Sequence, residues 1–363
     1  GSHGRYMIAD EVTERMETTN TVRHKVRDVR LEKMNEEMNK SAAVRIHYAS
    51  IYAGAANYWK NAIGMYEGLK RLRVVEKKVE QQKQLLDWGE EQGNSEYEVA
   101  FDTIRSIVSH RREPLLHQLF LDETLLRGME FLKIPSLKSL KKSLENKDQD
   151  AINHAIGSLK KEGDKYFKYQ NAYPEVEKKI GEAMLSVYQK EVAESQQVEV
   201  FNLIAADFDG SIKKYMDYCF DQSIFGTSDK WNAFLANPTL EAINNDPIYQ
   251  LEKMALDKRA DLTSLLAQPN KNYNIAHKTW VGGIMAMKKN QGEPIYPDAN
   301  LTLRLTYGSV LPYHPADGVT YNYYTTLDGV MEKEDPDSRD FIVPTRLKEL
   351  YETKDYGAYT NAK

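Results

Sequence analysis

The chain has 363 residues, 41% hydrophobic and 28% charged, a balance typical of globular proteins, and its length allows two domains or one large domain with an appendage. The net charge of -5 gives no reason to expect nucleic acid as a partner, and no apolar run approaches the ~18 residues of a membrane span. Cys219 is the only cysteine, which excludes an internal disulfide and a cysteine metal cluster.

Long helices are predicted in the first part of the chain. Gly1-Ser2-His3 resembles the remnant of a purification tag, so the lack of a signal peptide after it does not bear on location. A helix is predicted over residues 10–39, with a break near Thr18–Asn20. Residues 41–92 contain no proline and are predicted to form one or two very long helices. Their second part carries a narrow apolar stripe, which favours a hairpin of long antiparallel helices. The stripe consists of Met65, Leu69, Leu72, Val79 and Leu86.

Helical patterns continue up to Gly292. They predict helices at residues 97–110, 115–132, 137–146, 150–169, 174–206 and 211–220. Asn237 and Asp246 each precede a proline suited to a first helical turn, which predicts helices at 239–244 and 248–266. A last helix is predicted over 272–289.

The pattern changes at Tyr296. Residues 301–307 alternate apolar and polar side chains, as in a strand with one apolar face. A second run, 319–326, is rich in Tyr and Thr, which strands favour. Two strands alone are marginally stable, so the tail indicates that its sheet partners lie outside this chain. The predicted fold class is therefore mainly α, a large helical domain with a short C-terminal β segment.

Familiar catalytic motifs are absent from the sequence. It contains no Gly-x-Ser-x-Gly, His-Glu-x-x-His, phosphate loop or Gly-x-Gly-x-x-Gly pattern. His110 and His117 could share a helix face with Glu113 between them, but no further ligand has a suitable spacing, so we interpret them as solvated or capping residues rather than metal ligands.

Two other groups also have a plainer explanation. The Asp207–Gly210 segment resembles the opening of a calcium loop but lacks the later acidic ligands, which favours a helix-terminal role. Ser309, His314 and Asp317 are the residue types of a hydrolase, yet they lie in a turn-rich connection without an oxyanion-hole glycine pattern, so we interpret their proximity as chance. The sequence shows no complete catalytic apparatus.

Small residues share one helix face within residues 48–64. They lie three or four positions apart and would let another backbone come close. The members are Ala53, Gly54, Asn57, Asn61 and Gly64. By pattern alone this face favours tight helix packing with Asn57 hydrogen-bonded inside. The alternative is a shallow groove in which Asn57 offers its amide oxygen to a ligand.

Several segments are similar to the bacterial chymotrypsin-like dipeptidyl peptidases, serine exopeptidases that release dipeptides from free peptide N-termini. They are PDAN at 297–300, TLRLTYG at 302–308, TTLDGVMEKED at 325–335, Gly4-Arg5-Tyr6 and the NYWKN motif at 57–61. The resemblance covers almost the whole chain. It is greatest to the Asp/Glu-specific members, with those that prefer apolar residues as the near alternative.

The resemblance implies a fold and a role. The family has a double β-barrel that carries the catalytic triad, with a helical domain inserted to cap the cleft. Residues 4–292 would then be the cap and residues 293–363 the return into the barrel. No triad member has a matching position here, so we expect no catalytic residue in this chain and no activity from it alone. The resemblance also implies peptide substrates, no cofactor, a homodimeric parent protein and a periplasmic or cell-surface location in a Gram-negative bacterium.

One functional residue is implied by the resemblance. In the family an asparagine of the cap binds the free α-amine of the substrate, and the matching position is Asn57. This shifts the interpretation of the small-residue face towards a groove. The sequence also leaves two further classes open, a non-enzymatic helical protein-interaction module and a metal-dependent helical hydrolase.

Overall fold

The computed structural model describes residues 6–294, 303, 305, 307–338 and 340–359. Helices dominate it and a two-stranded sheet lies near the C-terminus, which confirms the predicted mainly α class. The chain divides into two compact units, a helical unit of residues 5–296 and a second unit that contains residues 297–363.

The helical unit begins with α1 (Ala9–Glu14), a π-helical segment (Arg15–Asn20) and α2 (Thr21–Met38). At the predicted break near Thr18–Asn20 the chain therefore stays helical, with the wider turn of a π-helix. Next come α3 (Ala42–Arg71) and α4 (Val74–Glu91). They are separated where Arg73 adopts a left-handed conformation with φ of 50°. The long proline-free segment is thus two long helices.

Two helices run through internal prolines. α5 spans Glu96–Leu121 and contains Pro114, and α13 spans Pro247–Asn290 and contains Pro269. The predicted ends at residues 110 and 266 were wrong. Proline costs about 3 kcal/mol inside a helix. The two helices lie antiparallel, with Asp122 beside Arg259 and Arg111 over the ring of Tyr273, and this packing offsets the cost.

Shorter helices complete the unit. A π-helical segment (Asp122–Leu126) follows α5, and a 3-10 turn (Glu130–Leu132) comes after it. The others are α6 (Lys138–Glu145), α7 (Gln149–Tyr169), α8 (Pro174–Glu191), α9 (Val200–Asp207), α10 (Ile212–Gln222), α11 (Ser228–Ala236) and α12 (Leu240–Asn244). The predicted helix 174–206 was wrong as a single element, because the chain turns at Glu194–Gln196 between α8 and α9.

The helical unit has two hydrophobic cores. The main core contains fully buried aromatic side chains such as Tyr166, Tyr188 and Trp231. A smaller core contains Leu85, Ile104 and Trp280, from α4, α5 and α13. α5 and α13 contribute to both cores, so each runs from one into the other.

The second unit carries the sheet. β1 (Tyr313–Ala316) pairs antiparallel with β2 (Val319–Tyr321), and Gly318 occupies the turn with φ of 70°. The predicted strand 319–326 is therefore confirmed in its first part only. Most of the predicted strand 301–307 lies outside the described residues. α14 (Leu327–Glu332) and α15 (Thr345–Thr353) were not predicted.

Candidate functional site

The small-residue face of α3 is open. Ala53, Gly54, Asn57, Asn61 and Gly64 are all exposed. A Cβ built at Gly54 or Gly64 would meet nothing within 4 Å. The interpretation as a tightly packed helix contact was wrong, because α3 buries the opposite side, through Val44, Tyr48, Ala55 and Ala62.

Asn57 points its amide from this open face. Its side chain is exposed and makes no hydrogen bond to any residue that the structure describes. An amide presents one acceptor oxygen and two N–H donors, so the group is available to a ligand. Where the sequence placed Asn57 on a face of small residues, the structure does so too.

The N-terminal part of α3 is fixed firmly. Ser41 caps the helix, with its hydroxyl accepting from the amide of Val44 at 3.4 Å. Two turns on, the hydroxyl of Tyr48 donates to Oε1 of Glu177 on α8, and the amide of Phe131 donates to Oε2 of the same carboxyl. Burial raises the pKa of Glu177 to about 7. It also raises the pKa of Tyr48.

A charged cluster backs α3 near Asn57. The guanidinium of Arg27 on α2 donates to Oε2 of Glu123 at 2.8 Å and to the carbonyl of Ala55 at 3.3 Å. It also lies over the ring of Tyr58, 5.2 Å from the ring centroid. Arg23 approaches Oε1 of Glu123 at 3.4 Å. The cluster therefore ties α2 and the π-helical segment 122–126 to the turn that carries Asn57.

Sequence reasoning missed this cluster, although two signals for it exist. Asp122 and Glu123 interrupt an otherwise apolar segment, and carboxylates in such a setting need partners. Arg23, Arg27 and Arg30 recur at helical spacing and so share one face of α2.

His110, Glu113 and His117 line a cleft of about 700 Å³ between α5 and α13. Nε2 of His117 lies 2.8 Å from the hydroxyl of Tyr188, and burial lowers the pKa of His117 to about 4. Glu113 accepts a hydrogen bond from Gln196. Within residues 6–294 and the described parts of the tail, no group of three or more His, Cys, Asp or Glu side chains is arranged to hold a metal ion.

The contacts of the remaining candidate residues do not form a catalytic arrangement among the described residues. Nδ1 of His314 lies 2.9 Å from the hydroxyl of Thr320, its neighbour across the hairpin. Ser309 and Asp317 are exposed. Asp209 pairs with Lys214 at 2.6 Å, as expected for a residue near a helix start. No helix among the described residues has the length and apolar character needed to cross a membrane.

Comparison with known proteins places this geometry in a family. The peptidase S46 family model matches residues 1–363. The chain is 41% identical over 99% of its length to dipeptidyl-peptidase 7 of Phocaeicola vulgatus, and 35% identical over 99% to the Asp/Glu-specific dipeptidyl-peptidase of Porphyromonas gingivalis. In each case it spans 50% of the relative.

A solved structure shares the fold. The crystal structure of Porphyromonas endodontalis DPP11 in complex with the dipeptide Arg-Glu superposes with a TM-score of 0.86 and 32% identity. The alignment covers 100% of this chain and 51% of that one. The chain thus spans about half the length of the relatives it matches. By the family match over its whole length, the chain belongs to the peptidase S46 family.

Proposed function

We propose that this chain is the helical cap of a serine exopeptidase that releases dipeptides from peptide N-termini, and that Asn57 binds the α-amine of the substrate. The observation that carries the proposal is the open small-residue face of α3, on which the amide of Asn57 has no described partner. The catalytic groups lie in the part of the complete protein that this chain lacks, and the chain alone is inactive.

The chemistry suits an α-amine. A protonated amine is a strong hydrogen-bond donor, and the amide oxygen of Asn57 is a neutral acceptor for it. Gly54, one turn before Asn57, leaves room for an extended peptide main chain to approach. An acceptor held at a fixed distance from the scissile bond would measure two residues, and so would select dipeptides.

The residue before the cleaved bond is Asp or Glu in this proposal. Relatives named as Asp/Glu-specific support it, at 35% and 33% identity. A second candidate is release after an apolar residue, the near alternative that the sequence resemblance implies; the chain is 41% identical to dipeptidyl-peptidase 7 of Phocaeicola vulgatus. Initial rates on dipeptidyl amides that end in Asp, Glu, Leu or Phe would separate the two. The complete protein acts on peptides in the periplasm or at the cell surface, as a homodimer.

Kinetics of the complete protein test the role of Asn57. We expect Asn57→Ala to lower kcat/KM on free-amine dipeptidyl substrates about 10- to 100-fold, since a hydrogen bond to a charged group contributes about 1.5–3 kcal/mol. Asn202→Ala, at an exposed asparagine of α9, is the matched control and should leave kcat/KM unchanged. Unchanged kinetics of Asn57→Ala would refute the role of Asn57.

A further inference from the structure

The turn of α3 that carries Asn57 has few fully buried side chains. Between residues 49 and 61, Ala55 is the only buried position, and its side chain is a single methyl group. Tyr58 is 54% exposed. Burial of one methyl group contributes only about 1 kcal/mol. Ile51 and Tyr52 also pack against the main core while partly exposed, so contacts with neighbouring helices add to the attachment of this turn.

Arg27 supplies a second attachment to the same turn. Its Nη1 donates to the carbonyl of Ala55 at 3.3 Å, and its Cζ lies over the ring of Tyr58, 5.2 Å from the ring centroid. Ala55 and Tyr58 flank Asn57 in sequence. By helical spacing Ala55 lies on the side of α3 opposite to Asn57, and Tyr58 lies about 100° around the helix from Asn57, so Arg27 contacts the turn away from the Asn57 amide.

The guanidinium of Arg27 is itself held in place. Its Nε donates to Glu123 at 2.8 Å, and the side chain of Glu123 is 2% exposed. Arg23 and Arg127 approach the same carboxyl at 3.4 and 3.7 Å. A planar guanidinium can donate hydrogen bonds to a carboxylate and a carbonyl while it stacks on an aromatic ring, which the ammonium of lysine cannot do.

The support extends to α13. Asp122, the neighbour of Glu123 in the π-helical segment, accepts from Nε of Arg259 at 2.6 Å. A continuous series of contacts thus runs from α13 through Asp122 and Glu123 to Arg27. Segments of π-helix occur often at functional sites, and here the segment directs two successive carboxylates to arginines on two different helices.

We propose that Arg27 is a positioning residue for substrate binding, which holds the turn of α3 so that Asn57 meets the α-amine. The inference rests on the proposed function of Asn57. Arg27 touches no substrate. It acts by restricting where the Asn57 amide lies, and precise placement of a binding group affects catalysis strongly.

The test compares two substrates of the complete protein, a dipeptidyl coumarylamide with a free α-amine and its des-amino analogue. The measured quantity is the amine preference, the ratio of the two kcat/KM values. Arg27→Lys keeps a positive charge beside Glu123 but loses the reach to Ala55 and Tyr58. Tyr58→Leu removes the ring at an exposed position. Arg112→Gln, which breaks an exposed ion pair to Glu17, is the control.

We expect Arg27→Lys to lower the amine preference about fivefold, mainly through KM of the free-amine substrate, and Tyr58→Leu to lower it less. Arg112→Gln should leave it unchanged. In the Asn57→Ala background, Arg27→Lys should lower it no further, since the two residues act through one contact.

Two results would overturn the inference. If Asn57→Ala lowers the amine preference while Arg27→Lys lowers both kcat/KM values equally or not at all, Arg27 has a structural role only, and the function of Asn57 stands. If Asn57→Ala leaves the preference unchanged, the proposed function fails, and the role of Arg27 fails with it.

Discussion

The hydroxyl of Tyr48 donates a hydrogen bond to Oε1 of Glu177 at 2.5 Å, inside the main core of the helical unit. Tyr48 lies on α3, between the N-cap and the open face that carries Asn57, and Glu177 lies on α8. This bond therefore joins the helix that presents Asn57 to the centre of the unit.

Glu177 should make stability depend on pH. Burial, the largest cause, raises its folded pKa to about 7, above the ordinary carboxyl value of 4.5. The native state therefore holds a proton that the unfolded state releases, so stability falls as pH rises from about 4.5 to 7. Relative to the Glu177→Gln variant, the free energy of unfolding of the wild type should fall by up to about 3 kcal/mol over this pH interval. Urea denaturation of both proteins at pH 5 and pH 8 measures the difference, and parallel pH profiles would contradict it.

His117 should act in the opposite direction. Burial lowers its folded pKa to about 4, below the ordinary imidazole value of 6.5, so the unfolded state takes up a proton first as the pH falls. Neutral His117 makes its full contribution to the free energy of unfolding above about pH 6.5. About 2–3 kcal/mol of this contribution is lost as the pH falls towards 4. His117→Gln lacks this titration. The stability difference between wild type and variant should shrink on acidification, and a constant difference would exclude the effect.

Replacing two glycines of α7 by alanine should change the free energy of unfolding in opposite directions. A Cβ at Gly163 would lie 2.1 Å from Nε1 of Trp231, so Gly163→Ala should destabilise by about 1–3 kcal/mol through overpacking. A Cβ at Gly157 meets nothing within 4 Å, so Gly157→Ala should stabilise by about 0.5–1 kcal/mol through helix propensity. Thermal unfolding of the two variants checks both signs. Equal changes in stability of the two variants would mean that the side chain of Trp231 moves aside without cost.

Pro114 offers a further test of packing. Its ring removes the hydrogen bond that the carbonyl of His110 would otherwise accept in α5. Pro114→Ala restores it and should raise the free energy of unfolding by about 1–3 kcal/mol. Pro238→Ala, just before α12, is the control and should have no stabilising effect. A less stable Pro114→Ala protein would show that the helix depends on the proline ring.

The internal prolines of α5 and α13 show what part of the fold could not be predicted from the sequence. Helix type and the long α3–α4 pair followed from local periodicity and the absence of proline. The predicted helix ends at residues 110 and 266 each lie just before a proline, Pro114 and Pro269, and proline has a high local cost inside a helix. The antiparallel contact between α5 and α13 offsets that cost, and it joins residues more than a hundred positions apart.

The candidate site divides in the same way. The face that carries Asn57 could be predicted, because its residues lie within three turns of one helix. Its exposure could not, since periodicity marks a face without showing what covers it. The contact of Arg27 with Glu123 joins positions 96 residues apart, and only the folded chain brings them together.

A crystal structure of the complete protein with a bound dipeptide tests the central claim most directly. We expect the α-amine nitrogen to lie within about 3 Å of Oδ1 of Asn57, with the peptide main chain running past Gly54. A dipeptide whose amine is held by other groups, while Asn57 faces solvent, would contradict it.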